Sequence, residues 1–458
     1  MKFVRSRNLY NSLPPVAKQA ISAVPFGWLA GKKYRETMAR RVEIDDMNRA
    51  EIMAWQEKNI GNILEFATTH VPAYKKYRKA VSRFSPFDAL KEFSLLVKDD
   101  LQDRFEEFLP DNLDNIPHYE ISTGGTSGNQ LNFYVESSSQ AIELGFMHRQ
   151  WQRIGYTPRS RKATFRGVAF PDLDSGIYWQ HNPIYNELQF SPFHMSEITL
   201  GSYVEQIHRY KPQYLHGFPS AIDILAEYVE RNSLHGEFSS LKAVLLGSEG
   251  VLPGQIERIE SAFKSRAFSW YGHSERLIMA GECESTDAYH QFPDYGLAEI
   301  IDDTTNEPAK IGERGELVGT GFINRSMPLI RYKTGDTATR LDTACECGRN
   351  WDRFTDVEGR WDQHMVIGKN GENISIAALN MHGPIFKKVQ RYQYFQESIG
   401  VCELRVMVSP QFTEGDRLDI EHAYLDKIGT DLALTVNIVE DIPLTSRGKL
   451  KLLDSKLT

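Results

Sequence analysis

Ser122-Thr123-Gly124-Gly125-Thr126-Ser127-Gly128 packs three glycines and four hydroxyl side chains into seven consecutive positions. Glycines let successive main-chain N–H groups turn toward an anion, and serine and threonine hydroxyls add donors, so the composition suits a cradle for a polyphosphate. A Walker loop needs Gly-Lys-Ser/Thr running into a helix. Here Gly128 is followed by Asn129 and Gln130, and then Leu131, Phe133 and Val135 alternate with Asn132, Tyr134 and Glu136. That alternation is a strand pattern, so the loop joins strand to strand. Taken alone, the heptapeptide is equally compatible with a plain hydroxyl-rich hairpin.

Working outward, residues 138–155 read as a helix. KPQYLHGFPS, LKAVLLGSEG and RAFSWYGHSE then each place a short apolar run before a Gly-bearing turn, with helical stretches between them. That alternation predicts an α/β body with ligand loops at strand ends. Upstream, residues 1–110 read as mostly helical; downstream, from about Leu297, the spacing shortens to strands and turns. Gly359-Arg360-Trp361-Asp362 marks an expected boundary, giving a large domain over 1–359 and a small α+β domain over 360–458.

The 458 residues carry 53 Lys+Arg against 61 Asp+Glu, a formal net charge of −8, which disfavours a nucleic-acid partner. Four cysteines in so long a chain exclude a disulfide framework, and the N-terminus has no signal-peptide layout, so the cytoplasm is the expected location. No apolar run reaches the ~18–20 residues of a spanning helix. The stretch from Val16 to Ala30, flanked by Arg5, Arg7, Lys32 and Lys33, reads either as packing onto the body or as an interfacial helix.

The heptapeptide resembles the phosphate loop of the adenylate-forming superfamily, which comprises acyl-CoA synthetases, adenylation domains and luciferases. Further resemblances follow in the family's order. Gly247-Ser248-Glu249-Gly250 resembles the adenine-side turn, Tyr271-Gly272-His273-Ser274-Glu275 the aromatic-Gly motif, and Arg331 to Asp336 the Tyr-x-Thr-Gly-Asp motif. Gly359 to Asp362 resembles the hinge, and the tail PLTSRGKLK the final motif, with Lys449 at the catalytic lysine. The spelling is most similar to the phenylacetate:CoA ligase-like branch, including its CapK-type members of capsular polysaccharide biosynthesis. The resemblance implies a large multi-sheet adenylate-forming domain and a small mobile C-terminal domain.

It further implies ATP and Mg²⁺ as cofactors, a small carboxylic acid as substrate, and coenzyme A or another thiol, amine or hydroxyl as acceptor. Residues 122–128 would hold phosphates. Gly247, Ser248, Glu249, Tyr271, Gly272, His273 and Ser274 would surround the adenylate. Asp336 and Arg360 offer an acceptor and a donor fork for the ribose and phosphates. Glu275 is a hard oxygen ligand suited to Mg²⁺, and Lys449 a point charge suited to a developing phosphorane. Asp362 would be the hinge. His273, Ser248, Phe193 and His194 are expected walls of the acyl pocket, with a satisfied structural histidine as the alternative for His194.

Cys283, His290, Cys345 and Cys347 make a Cys₃His set suited to structural Zn²⁺, against the alternative of reduced thiols beside an unrelated histidine. Cys402 is expected in a core. Two features depart from the family pattern. The Pro-Lys that often follows the phosphate loop is missing, and no basic patch for coenzyme A is legible. Transfer to a sugar amine or hydroxyl, amidation of a uronic acid, and a catalytically silent nucleotide-binding scaffold therefore stand as alternatives to thioester formation.

Overall fold

The computed structural model describes residues 13–122, 131–167, 170, 176–359, 364–381, 384–442 and 451–457. Strands β1 (His118–Ser122) and β2 (Asn132–Glu136) form the antiparallel hairpin expected around the glycine-rich loop, with Ser122 opposite Asn132. Leu131, Phe133 and Val135 are buried while the residues between them are half-buried, as the alternation requires.

A 12-stranded sheet forms the body. Its first half comprises β3 (Lys162–Phe165), β4 (Trp179–Asn182), β5 (Glu187–Phe190), β6 (Tyr214–Gly217), β7 (Ala243–Leu246) and β8 (Ala267–Gly272). β5, β3, β6, β7 and β8 run parallel in that spatial order, and β4 pairs antiparallel on the outer edge. β3, β6 and β7 are buried at every position, because parallel strands are covered on both faces. Helices Leu200–Tyr210, Pro219–Arg231 and Gln255–Phe263 connect these strands and contribute to the apolar cluster on one face. Helix Ser139–Gln152 brings Trp151 to a second cluster, with Tyr214, Ala243 and Leu245.

At β8 the sheet turns antiparallel. β9 (Met279–Glu282), β10 (Tyr289–Gln291), β11 (Gly296–Ile301), β12 (Arg314–Gly321), β13 (Tyr332–Leu341) and β14 (Arg353–Glu358) continue it in the order β9-β10-β14-β13-β12-β11. Upstream, helices Gly31–Asp45 and Arg49–His70 dominate, the second opened by an Asn48/Glu51 capping box. Phe26 packs its ring 5.3 Å from Tyr34 and from Tyr185, so this segment lies on the body while Trp28 stays exposed. Among the described residues no helix is long and apolar enough to cross a membrane.

The last hundred residues hold a hairpin of β15 (Met365–Ile367) and β16 (Asn373–Ser375), then a four-stranded sheet. β17 (Val389–Ser398) and β18 (Val401–Val408) pair antiparallel, while β19 (Ala433–Ile438) and β20 (Leu453–Ser455) add parallel strands outside them. Helix Glu414–Ile428 begins at a Thr413/Asp416 capping box and buries Ile420, Tyr424 and Ile428. Cys402 is fully buried in the same core, as expected.

Candidate active site

Three of the quoted motifs fall at one edge of the parallel sheet. β6 ends at Gly217, β7 runs into Gly247-Ser248-Glu249, and β8 ends in Tyr271-Gly272 followed by His273-Ser274-Glu275. Carboxyl ends of neighbouring parallel strands are where open α/β sheets bind ligands, because the loops diverge there. Ser248 adopts φ 70, which turns the chain sharply and leaves its side chain exposed. Its hydroxyl accepts from Arg166 Nη2 at 2.9 Å. Glu249 turns inward, accepting from the Ser220 main-chain N–H at 3.1 Å and from the Ser375 hydroxyl. Burial pushes the Glu249 carboxyl above its ordinary value.

Asp336 reaches this edge through an irregularity in the antiparallel half. β12 and β13 change register between Glu316 and Val318, so the chain from Lys333 to Thr337 is longer than the strand it faces. Gly335 takes φ 76 at this bulge, a conformation that glycine adopts without steric cost. Its N–H donates to Glu316 Oε1 at 2.9 Å, and the Thr334 hydroxyl donates to Leu317 O at 2.8 Å. The bulge re-aims Asp336, whose Oδ2 accepts from Tyr271 Oη at 2.8 Å. Burial first, and then Asp336, raise the Tyr271 phenol well above its usual value, so it stays neutral and donates.

Glu275 is buried beside the same edge. Its Oε1 accepts from Tyr332 Oη at 3.3 Å, and Oε2 lies 3.3 Å from His273 Nδ1. Ser274 is half-buried between them. Tyr271, Glu275, Tyr332 and Asp336 thus bring two motifs about 60 residues apart into direct hydrogen bonding, as a patch of oxygen acceptors beside an aromatic ring. Ser122 is buried at the end of β1. Thr123, Gly124, Gly125, Thr126, Ser127, Gly128, Arg360, Asp362 and Lys449 lie outside the described residues.

One expectation is corrected. Phe193 and His194 are fully buried and face the C-terminal region rather than lining an acyl pocket. His194 Nδ1 meets Ser191 Oγ at 2.6 Å, Nε2 meets Ile428 O at 3.0 Å, and the ring stacks on Tyr178 at 4.3 Å. Both nitrogens are spent, so the structural alternative holds. Conversely, sequence reading missed Arg166 and Tyr332. Arg166 stands directly after a buried strand, and Tyr332 lies inside the quoted RYKTGD, two signals that spacing alone contained.

Cys283, His290, Cys345 and Cys347 converge on the far side of β9 and β10, with one donor atom from each within 4.8 Å of all the others. On a tetrahedron with Zn–S of about 2.3 Å, neighbouring sulfurs lie about 3.8 Å apart. Cys283 and Cys345 are 3.7 Å apart, and Cys347 Sγ is 3.4 Å from His290 Nε2. Main-chain N–H groups of Ser285 and Thr286 point at Cys283 Sγ from 3.3 and 3.4 Å, which suits a thiolate. Desolvation pushes His290 down to about 3, so its imidazole is neutral, the form that binds metal. His290 Nδ1 lies 3.2 Å from Ala288 O, which fixes the ring. The donor set therefore fits Zn²⁺.

The family model described as AMP-binding enzyme matches residues 190–323, and that described as CapK C-terminal domain matches residues 366–456. A phenylacetate-coenzyme A ligase of Thermus thermophilus is 24% identical over 448 residues, spanning 90% of this chain and 98% of that protein. Protein CapK of Staphylococcus aureus is 22% identical, spanning 77% of each. A crystal structure of 2-hydroxyisobutyryl-CoA ligase, in complex with 2-HIB-AMP and CoA, superposes with a TM-score of 0.57. It covers 92% of both chains at 19% identity, a likeness of fold.

Proposed function

An AMP-binding enzyme region followed by a CapK C-terminal domain makes this chain an adenylate-forming ligase of the phenylacetate-CoA ligase-like kind, and from that premise we propose that it activates a carboxylic acid with ATP and passes the acyl group to coenzyme A. A carboxylate oxygen attacks the α-phosphorus, the bond to the bridging oxygen breaks, and pyrophosphate leaves with the electron pair. The acceptor thiol then attacks the acyl carbon, gives up its proton, and expels AMP. No side-chain nucleophile is required, because ATP supplies the activation and the protein supplies alignment.

The observation that carries this reading is the hydrogen bond from Tyr271 Oη to Asp336 Oδ2, which sets a ring face and a carboxylate side by side at the strand ends. Asp336 would accept from ribose hydroxyls, with Arg360 beside the phosphates. Residues 122–128 would donate to the phosphates, and Gly247, Ser248, Glu249, Gly272, His273 and Ser274 would border the adenylate. Glu275, steadied by Tyr332, would hold Mg²⁺, which neutralises phosphate charge when bound. Lys449 would meet the charge that spreads over the α-phosphoryl oxygens, and Asp362 would let the small domain turn between the two steps. Zn²⁺ on the Cys₃His set would pin the β9–β10 and β13–β14 connections and take no part in the chemistry, since four protein ligands leave no open position.

A second reading, implied by the resemblance to CapK-type members of capsular polysaccharide biosynthesis, is transfer to a sugar amine or hydroxyl, or amidation of a uronic acid. Pyrophosphate release across a panel of acids, with ATP and Mg²⁺, tests the first step. Lys449→Ala should lower release at least about a hundredfold while ATP affinity holds, in line with removal of one transition-state donor. Thioester detected by mass after adding coenzyme A supports the first reading, and an amide or ester with an added sugar supports the second. ATP binding with no release from any acid leaves only a silent scaffold.

A further inference from the structure

One face of the parallel sheet carries polar groups that find no partner among the described residues. Thr164, His216 and Leu245 stand side by side in register across β3, β6 and β7, and Phe268 extends the row on β8. Side chains two residues further along each strand return to the same face. Trp270 is that next residue on β8, and Arg166, Phe218 and Gly247 follow the ends of β3, β6 and β7, with Phe218 turned into the opposite apolar cluster. Arg166 touches the turn after Gly247 through Ser248, and Trp270 Nε1 lies so close to Gly247 that a Cβ there would sit 2.1 Å from it. His216 packs its ring 4.8 Å from Trp151 beneath this row.

Arg166 Nη1, both nitrogens of His216 and Trp270 Nε1 are buried with no hydrogen-bond partner among the described residues. His216 as a whole is only 9% exposed. Arg166 meets no carboxylate within salt-bridge distance there either; its plane lies 4.8 Å from the Phe218 ring. The nearby Glu249 has its oxygens engaged by Ser220 and Ser375. Buried donors left unpaired are costly, and half-buried Arg166 adds a positive charge beside them. Desolvation, with Arg166 and Lys162 adding to it, holds His216 well below its ordinary value, so its neutral ring keeps one N–H to donate. The group that completes this set is rich in acceptors and negatively charged.

We propose that the acid this chain activates carries a second anionic group, a carboxylate at the end remote from the reacting one, and that Arg166, His216 and Trp270 receive it. The inference rests on the ligase reading and names its substrate class. Arg166 supplies the charge and one free N–H, Trp270 and His216 each supply a neutral N–H, and Gly247 leaves room for the indole edge. An acid ending in a methyl or phenyl group would leave all of these donors unsatisfied, which is how a polar site discriminates strongly.

The test is acid-dependent exchange of pyrophosphate into ATP on the full chain, using matched pairs: hexanoate against adipate, and phenylacetate against 1,4-phenylenediacetate. The expected result is a kcat/KM at least 30-fold higher for the dianionic member of each pair. Arg166→Gln should cut that ratio at least tenfold, mainly through KM, with ATP affinity measured alongside as the check on folding. Trp270→Phe, which keeps the ring and removes only the N–H, should cut it about threefold and serves if the arginine variant does not fold. Equal or better use of the neutral-ended acids overturns the inference and leaves the ligase reading intact. So does an Arg166→Gln variant that slows both members of a pair equally, since the arginine would then serve the reacting carboxylate. No exchange with either series overturns both.

Discussion

A methyl group added at Gly247 would meet three indole atoms of Trp270 at 2.1–2.8 Å. Gly247→Ala should therefore displace the ring, costing about 1–3 kcal/mol of stability by overpacking and lowering acid-dependent exchange at least tenfold. Calorimetry beside the exchange assay separates the two effects, and unchanged exchange would place the acid elsewhere. Cys347 tests a different chemistry. If the Cys₃His set holds one zinc, Cys347→Ser should reduce the metal content of purified protein from one per chain toward zero, read by elemental analysis. The melting temperature should fall with it, because metal binding is coupled to folding. Metal-free wild-type protein of undiminished stability would contradict the site.

At the scale of elements, helix Ser139–Gln152 is tied to the turn after β10 by Arg149 and Asp294, 2.7 Å apart with both side chains at most 1% exposed. The guanidinium also lies 4.8 Å from the Phe146 ring and 5.2 Å from Phe292. Asp294→Ala would leave that cation buried and unpaired, so unfolding by urea should show a loss of about 3–5 kcal/mol. A loss under 1 kcal/mol would mean that water reaches the pair. What the sequence disclosed at this scale followed from burial. Strands 214–217 and 243–246 were legible because fully covered runs end where a glycine turn begins, and strand 267–272 and the hairpin at 118–136 because one covered face imposes alternation. The register shift that re-aims Asp336 was not legible, since a bulge is set by what the partner strand does rather than by local propensity. Phe193 and His194 misled for a related reason: an aromatic segment looks alike whether it lines a pocket or seats another part of the chain.

The whole molecule depends on how that other part is seated. Sheet order was beyond local reading, as β10 pairs with β14 across some 60 residues, and so was the contact between body and C-terminal region. That contact is mixed: Phe193 and Met195 share a core with Val366, Ile376 and Ile428, while Lys387 reaches Glu120 at 2.9 Å and Glu249 reaches Ser375. His194 lies inside it, with Asp431 Oδ2 3.6 Å from Nε2. Desolvation lowers His194 to about 4 from an ordinary 6.5. Between these values the unfolded chain binds a proton that the folded chain refuses, so stability falls as pH drops through that window and is full above it. That difference sets a ceiling near 3 kcal/mol. His194→Gln keeps a donor for Ile428 O and an acceptor for Ser191 but cannot titrate. Melting curves from pH 4 to 7 should therefore show the wild type losing more stability on acidification than the variant, by about 1–2 kcal/mol. Parallel curves would mean that the contact opens before the histidine is protonated, and the seat of the small domain would then have to be sought in Lys387 and Glu249 instead.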